Sequence, residues 1–334
     1  MSDGTSRSSL LAAKLRSLAS RAFGPADRVD VPFPGGAGLL LDGTAWVLVD
    51  AEPLKSFGPA LVWASRQGAS AVHLLVDSQA DVLARRASCF TTAPAVWQIE
   101  GTELVAAEPA PPAVALPAPD APALAELLID ADLEVIVEDG MVRGEINGLE
   151  VARIVHGTST GGIALEEPLL EVGVGHADRE LTALLHGALS PVAQLARVVE
   201  LVRAQRQPGA ERHPLNQLAP ERWLRARLVE HPDRIGLAHL RPIDPAVARP
   251  NLRDTAVAMA LGESPGGDPA VVACSVGVDL DLVPAAADAR LAAAPDARLL
   301  LVVPTRDAHP VTRELAARLV HPADVVTVDD DWRA

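Results

Sequence analysis

Short hydrophobic runs alternate with amphipathic stretches in two parts of the chain. In the first part, apolar runs at 46–49, 72–76 and 95–99 predict buried strands, and the stretches 59–67 and 81–90 between them predict helices. This order is βαβαβ. Buried strands that alternate with helices favour parallel pairing with right-handed crossovers and helices on the faces of the sheet.

The same order of elements returns near the C-terminus. Strands are predicted over 271–278, 298–303 and 324–328, and helices over 282–293 and 310–319. Aligning the two parts matches strand to strand and helix to helix with an offset of about 226 to 229 residues. We therefore predict an internal repeat, although βαβ units of independent origin also share this pattern.

The segment between these units has a different pattern. A helix is predicted over 123–128, followed by a hairpin of strands 133–137 and 142–146, because Asp139-Gly140 supplies the positive-φ turn that a hairpin needs. Strands over 149–155 and 169–174 and a helix over 176–186 complete an α+β segment. Residues 194–254 are helical in pattern, rich in arginine and interrupted by prolines.

The predicted fold class is α/β, with two βαβαβ units of mainly parallel strands flanking a central α+β segment and an Arg-rich helical connector. A run with six prolines between Glu108 and Pro122 admits neither a helix nor a central strand and is typical of a linker. The predicted segments are a basic N-terminal helix or tail (1–28), the first unit (29–104), the linker (105–122), the α+β segment (123–190), the connector (191–254) and the second unit (255–334).

Composition narrows the classes of function. The chain has 334 residues and a formal charge of −15, which disfavours a surface that binds nucleic acid or anionic lipid as a whole. Two cysteines are too few for a disulfide framework and indicate a cytoplasmic protein. No apolar run is long enough for a transmembrane segment. The sequence contains neither a P-loop nor a dinucleotide, nucleophile-elbow or zinc-protease motif.

The connector provides the first candidate site. Guanidinium groups bind phosphates in a bidentate manner, and an indole ring offers a stacking surface, so residues 194–254 suit a nucleic acid, a phosphorylated ligand or a protein partner. The same arginines could instead bind the acidic segments on either side. The candidate ligand-binding residues are Arg203, Arg206, Arg212, Arg222, Trp223 and Arg225.

The second candidate site lies in the α+β segment, where glutamates recur on the predicted strands. Glu150 and Glu171 are candidate ligands for Mg²⁺ or Mn²⁺, which would activate water against a phosphodiester. The order of helix, hairpin, GLEVAR and LLEVGVG resembles the core of PD-(D/E)xK nucleases over residues 124–187. The resemblance implies that Glu150 replaces the motif's Asp and that Glu171 is its Glu.

The nuclease motif is incomplete, because its lysine position falls on Gly173. Arg153 or His176 would have to take over the role of that cation. Two functions therefore remain open. One is a binding or regulatory module that engages a phosphate-bearing or protein partner through the connector. The alternative is a metal-dependent phosphodiesterase or nuclease in which Glu150, Glu171, Arg153 and His176 act together.

Overall fold

The computed structural model describes residues 2–24, 28–160, 162, 164–176, 178–180, 190–209, 213–248 and 256–333. Its helices are α1 (Ser2–Phe23), α2 (Pro53–Arg66), α3 (Ala80–Ser88), α4 (Pro122–Asp130), α5 (Pro191–Gln205), α6 (Pro220–Glu230), α7 (Leu282–Ala293) and α8 (Pro310–Ala317). Its strands are β1 (Val29–Val31), β2 (Gly36–Leu41), β3 (Thr44–Val49), β4 (Ala71–Val76), β5 (Ala95–Glu100), β6 (Glu103–Ala106), β7 (Glu134–Glu138), β8 (Met141–Ile146), β9 (Leu149–Val155), β10 (Leu169–Val172), β11 (His239–Pro242), β12 (Ala258–Glu263), β13 (Pro269–Cys274), β14 (Arg298–Pro304) and β15 (Asp324–Val328).

The strands form three sheets, and the prediction of an α/β protein is confirmed. The orders are β1-β2-β3-β4-β5-β6, β10-β9-β8-β7 and β11-β12-β13-β14-β15. Strands β3, β4 and β5 pair in parallel, as do β13 and β14, whereas β1, β2, β6, β11 and β12 pair antiparallel with their neighbours. The expectation of mainly parallel strands missed these antiparallel partners, and β11 lies inside the segment that was expected to be helical.

Strand β2 shows why one antiparallel partner escapes a hydrophobic pattern. The cluster PGGAG at 34–38 is typical of a loop, yet Gly36 and Gly38 belong to β2. A Cβ on Gly38 would lie 2.5 Å from the ring of Trp63, and a Cβ on Gly36 would lie 1.9 Å from the carbonyl oxygen of Leu48. Glycine occupies these strand positions because other groups approach the backbone too closely for any side chain.

Two of the sheets share one order of neighbours. In the first sheet, β1–β2 and β2–β3 are antiparallel pairs, β3–β4 is a parallel pair, and β5 lies next to β4. In the last sheet, β11–β12 and β12–β13 are antiparallel pairs, β13–β14 is a parallel pair, and β15 lies next to β14. Each set follows a helix, α1 or α6, and has two helices between its last three strands. An internal repeat would produce this correspondence.

The chain divides into two compact units, each made of several stretches. Unit 1 comprises residues 1–112, 280–291 and 309–324, and unit 2 comprises residues 113–279, 292–308 and 325–334. In unit 1, α1 packs on the six-stranded sheet through Leu15, Leu18 and Ala19, which contact a cluster that includes Leu39 and Trp46.

Unit 1 also contains a short reciprocal contact between two segments that follow α3 and α8. Phe90 and Leu319 form an antiparallel bridge; the Thr91 N–H donates to the Arg318 carbonyl, and the Val320 N–H donates to the Cys89 carbonyl. Leu319 lies 229 positions after Phe90 (319 − 90), which agrees with the offset of the predicted repeat.

Unit 2 contains the other two sheets. Helices α4 and α5 cover one face of the four-stranded sheet, where Leu128, Leu195 and Val199 pack against strand residues such as Val151 and Ile154. Helix α6 packs on β11, β12 and β13. The predicted hairpin turn is confirmed, because Asp139 and Gly140 both have positive φ, of 54° and 69°.

Three expectations concern the remaining parts of the chain. Residues 107–121, in the proline-rich run, form neither helix nor strand. Most of the helix predicted over 176–186 lies outside the described residues. In the described ranges, no helix has the length and apolar character that crossing a membrane requires.

Candidate functional site

One face of the four-stranded sheet carries the glutamates that the sequence marked as catalytic candidates. Arg143 on β8 faces Arg153 on β9, which in turn faces Glu171 on β10. Directly paired residues point to the same side of a sheet, so these three side chains share one face. Glu145 lies two positions after Arg143 on the same strand and therefore also belongs to this face.

A β-bulge places Glu150 on the same face. Gly144 pairs with Ala152, but Glu145 pairs with Glu150, so β9 has one extra residue at Val151. Glu150 and Arg153 are three positions apart, so without a bulge their side chains would point to opposite sides of the sheet. The register thus brings Glu150 and Glu171 to one face. We call Glu138, Arg143, Glu145, Glu150, Arg153 and Glu171, together with Arg179, Arg222 and Arg225, the charged layer.

Two arginines of α6 neutralise one end of the charged layer. Arg222 donates to Glu138 at 2.5 Å and to Glu145 at 2.8 Å, and Arg225 lies 3.2 Å and 3.5 Å from the same two carboxylates. All four side chains are at most 3% exposed. Burial alone would raise the pKa of Glu138, but the two arginines outweigh it and lower the pKa. Arg222 has a raised pKa because these carboxylates overcome its own desolvation.

The middle of the layer is built around Glu150. Arg143 Nη1 lies 3.0 Å from one carboxylate oxygen and Arg179 Nη1 lies 2.7 Å from the other. Arg179 also donates to the Gly173 carbonyl at 3.2 Å. Arg143 reaches Asp139 at 2.9 Å with its other terminal nitrogen. Each oxygen of Glu150 is therefore bound to a guanidinium group.

Glu171 is held at the other end of the layer, beneath the loop after β9. Thr160 donates to its carboxylate from both the backbone N–H and the hydroxyl, and Arg153 Nε donates at 3.0 Å. Arg153 Nη2 donates to the Thr160 hydroxyl at 2.7 Å. Burial raises the pKa of Glu171, but the hydrogen bonds from Thr160 and Arg153 prevail and lower it. This carboxylate is a strongly held anion.

The surroundings of Glu150 and Glu171 do not fit a divalent cation. A bound Mg²⁺ or Mn²⁺ needs free carboxylate oxygens, whereas here arginines and Thr160 occupy them. Over the described ranges, no group of three or more His, Cys, Asp and Glu side chains is arranged to hold a metal. His176 is largely exposed and lies 3.4 Å from Glu180.

The candidate residues of the connector lie mostly in the interior. Arg206 donates to the backbone carbonyls of Asn147, Leu215, Leu218 and Ala219, and its guanidinium stacks over Trp223 at 4.6 Å. Burial lowers the pKa of Arg206 to about 10. Arg206, Arg222, Trp223 and Arg225 are at most 3% exposed. Arg203 is 42% exposed and binds Asp132 at 3.0 Å. Arg212 lies outside the described residues.

The opposite face of the same sheet carries a groove between α4 and α5 with a volume of about 580 Å³. We call it the α4–α5 groove; its lining is Leu127, Asp130, Ala131, Val192, Leu195, Ala196, Val199, Glu200 and Arg203. Ser190 begins α5 by accepting a hydrogen bond from the Ala193 N–H at 3.3 Å, and Pro191 occupies its first turn. Val192 is therefore held near the start of the helix, and it is 54% exposed.

Sequence reasoning found Glu150, Arg153 and Glu171 but missed Arg143, Arg179 and Thr160, which complete their surroundings. A signal for Arg143 existed in the alternation of Arg143 with Glu145 on one predicted strand. The pairing of Arg179 with Glu150 left no local pattern, since the two residues are 29 positions apart.

Comparison of the chain with protein-family models, with curated proteins and with solved structures gives no match in any of the three.

Proposed function

We propose that this protein is a binding module that takes up a short, basic amphipathic helix of a partner protein in the α4–α5 groove. The observation that carries this proposal is an open apolar groove formed by the first helix of the connector. Leu195 and Val199 are buried beneath it, while Val192 and Ala196 are exposed along its side. Helix-in-groove recognition uses apolar anchors spaced three and four residues apart, which such a groove accommodates.

The dimensions suit a helix of a few turns. Helix α5 has 15 residues, which corresponds to a length of about 22 Å at about 1.5 Å per residue. A partner helix of about 14 residues would match that length and place three or four apolar side chains on one face. Small Ala131 and Ala196 leave room for the partner's larger side chains.

Charge determines the kind of helix. Asp130 and Glu200 line one end of the groove. The cation beside them, Arg203, is already engaged by the carboxylate of Asp132 and the carbonyl of Ala131. The end of the groove therefore has excess negative charge and favours a partner with lysine or arginine next to its apolar face.

The two functions expected from the sequence have less support. Phosphate binding by the connector needs accessible guanidinium groups, but Arg206, Arg222 and Arg225 are bound inside unit 2. The phosphodiesterase alternative needs a cation at Glu150 and Glu171, whose oxygens are bound by arginine and Thr160. The proposed partner is met in the cytoplasm, in keeping with two free cysteines.

The test is a titration of a fluorescein-labelled model peptide of about 14 residues. It carries leucines on one helical face and lysines on the other, and binding is followed by anisotropy. We expect saturable binding to the full chain and at least a tenfold weaker Kd in Ala196→Arg, which puts a guanidinium group on the apolar wall and repels the lysines of the peptide. The matched control is Leu201→Arg, because Leu201 is 60% exposed on the same helix and does not line the groove.

A peptide with glutamate in place of lysine separates the roles of shape and charge. We expect it to bind about tenfold more weakly than the lysine peptide at low salt, and the difference to shrink in 0.5 M NaCl. The proposal is wrong if Ala196→Arg and Leu201→Arg bind the lysine peptide equally well, or if the wild-type chain does not bind it.

A further inference from the structure

We propose that Arg153, Arg179, Arg143 and Thr160 form an oxyanion site for a phosphate group, and that the carboxylate of Glu171 occupies part of it as a built-in competitor. The site belongs to the charged layer, on the face of the sheet opposite the α4–α5 groove. It is independent of the proposed helix binding, since the two sites share no residue.

The arrangement of the arginines is the first support. Arg143 and Arg153 are direct partners on neighbouring strands, where like charges destabilise a sheet unless anions separate them. Burial, together with nearby Arg153 and Arg143, lowers the pKa of Arg179, and the carboxylates of Glu150 and Glu171 oppose this shift. Planar guanidinium groups are a recurrent means of binding phosphate, because each can donate two parallel hydrogen bonds.

Unused donors are the second and independent support. The Nε–H groups of Arg143 and Arg179 are buried and have no hydrogen-bond partner among the described residues. The two side chains are only 9% and 8% exposed. Buried N–H groups without an acceptor are costly and rare, and those on a charged group are the most costly. Both donors belong to the arginines that hold Glu150, so an acceptor placed beside that carboxylate would satisfy them.

The contacts of Glu171 show what kind of ligand fits. One carboxylate receives the Thr160 N–H, the Thr160 hydroxyl and Arg153 Nε. A backbone N–H, a hydroxyl and a guanidinium are the usual donors to a phosphate group, and a phosphate has more oxygens than a carboxylate with which to reach further donors. Arg153 and Thr160 are half-buried, so the ligand enters on their side.

The charges of the site determine how Glu171 affects phosphate binding. Three arginines face three carboxylates, those of Glu150, Glu171 and Asp139, so a dianionic ligand is opposed while all three remain in place. Glu171 is the one whose position the ligand would share. Removal of its charge should therefore raise the affinity for phosphate, whereas removal of Arg153 should lower it.

The probe is inorganic phosphate, titrated into the full chain and followed by calorimetry and by the shift of the thermal midpoint. We expect weak binding by the wild type and about tenfold tighter binding by Glu171→Gln, which keeps the shape of the side chain and removes one negative charge. In the double variant Glu171→Gln with Arg153→Met, affinity should fall again by at least tenfold. Phenyl phosphate in a second titration tells whether a phosphate monoester is preferred to the free ion.

The control is Arg16→Met, which removes an exposed guanidinium of unit 1 that pairs with Asp30 and should leave phosphate binding unchanged in the Glu171→Gln background. Arg143→Met and Arg179→Met are unsuitable as sole tests, because each leaves Glu150 with a missing partner and can unfold unit 2. Equal phosphate affinity in the wild type and Glu171→Gln, or equal loss in the Arg153 and Arg16 variants, overturns the proposal.

Discussion

Replacement of Arg222 by methionine should destabilise unit 2 far more than any surface change. Arg222 is 3% exposed and binds Glu138 and Glu145 at 2.5 Å and 2.8 Å. Arg225 remains near both carboxylates in the variant, but one cation cannot neutralise two buried anions. Breaking a buried pair by removing one partner costs about 3 to 5 kcal/mol. A chain of ordinary stability has on the order of 5 to 15 kcal/mol in total.

Urea unfolding measures this loss. With a slope of about 2 to 3 kcal/mol per molar urea, the midpoint should fall by roughly 1 to 2 M. Tryptophan fluorescence reports the transition, since two of the five tryptophans, Trp223 and Trp332, belong to unit 2, are buried and meet edge to face. The reference is Arg203→Met, whose exposed ion pair with Asp132 should contribute less than about 1 kcal/mol.

The loss of stability in Arg222→Met should depend on pH. In the wild type, Glu138 has a lowered pKa, so its contribution to stability is present above its unfolded value of 4.5 and disappears as the pH falls below it. Loss of Arg222 removes one of the arginines that lower the pKa of Glu138, so this pKa should be higher in the variant than in the wild type, and protonation then removes the unpaired charge. The deficit relative to the wild type should therefore shrink between pH 7 and pH 5. A deficit as small as that of Arg203→Met, or one that does not depend on pH, would refute this account of the charged layer.

Two predictions concern unit 1. Gly38→Ala should lower the free energy of unfolding, measured in urea, by about 1 to 3 kcal/mol, because its methyl group would lie 2.5 Å from the Trp63 ring. The control is Gly266→Ala, whose methyl group would have ordinary contacts, so that its free energy of unfolding should be nearly unchanged. Burial lowers the pKa of His73 below 6.5, and its Nδ1 accepts the indole N–H of Trp97 at 3.0 Å. Since the unfolded chain takes up this proton first, stability should fall as the pH drops below 6.5, and His73→Asn should lack that dependence in urea titrations at pH 7 and 5.5. Equal midpoints for the two alanine variants would contradict the first prediction, and an unchanged pH dependence in His73→Asn would contradict the second.

The helices were more accessible to sequence reasoning than the sheets. The pattern PERWLRARLVE predicts a helix with the observed bounds of α6, because prolines mark both its start and the residues after its end. The antiparallel strand β11 was missed, since HLRP is short and ends in proline. Local patterns report local propensity, whereas an edge strand is stabilised by a partner elsewhere in the chain.

The candidate site shows the same limit at the level of side chains. Glu150 and Glu171 stood out as strand glutamates, but the bulge at Val151 that aligns them depends on the pairing of β8 with β9. The arginine pattern of α6 allowed both phosphate binding and ion pairing with acidic parts of the chain. Only the position of Glu138 and Glu145 opposite Arg222 distinguishes these two interpretations. The sequence shows which residue types are present, whereas the fold determines which residues contact each other.

The reciprocal bridge in unit 1 allows a kind of variation that a symmetric dimer cannot have. In a homodimer, a substitution at a two-fold contact changes both sides at once. Here the two sides are separate positions of one chain and already differ: Cys89, Phe90 and Thr91 meet Val320, Leu319 and Arg318 through backbone groups. Because both strands of the contact are covalently joined, their meeting does not depend on protein concentration. Each side is therefore free to acquire its own side chains, and the asymmetry needed for a single specialised surface can arise without loss of the contact.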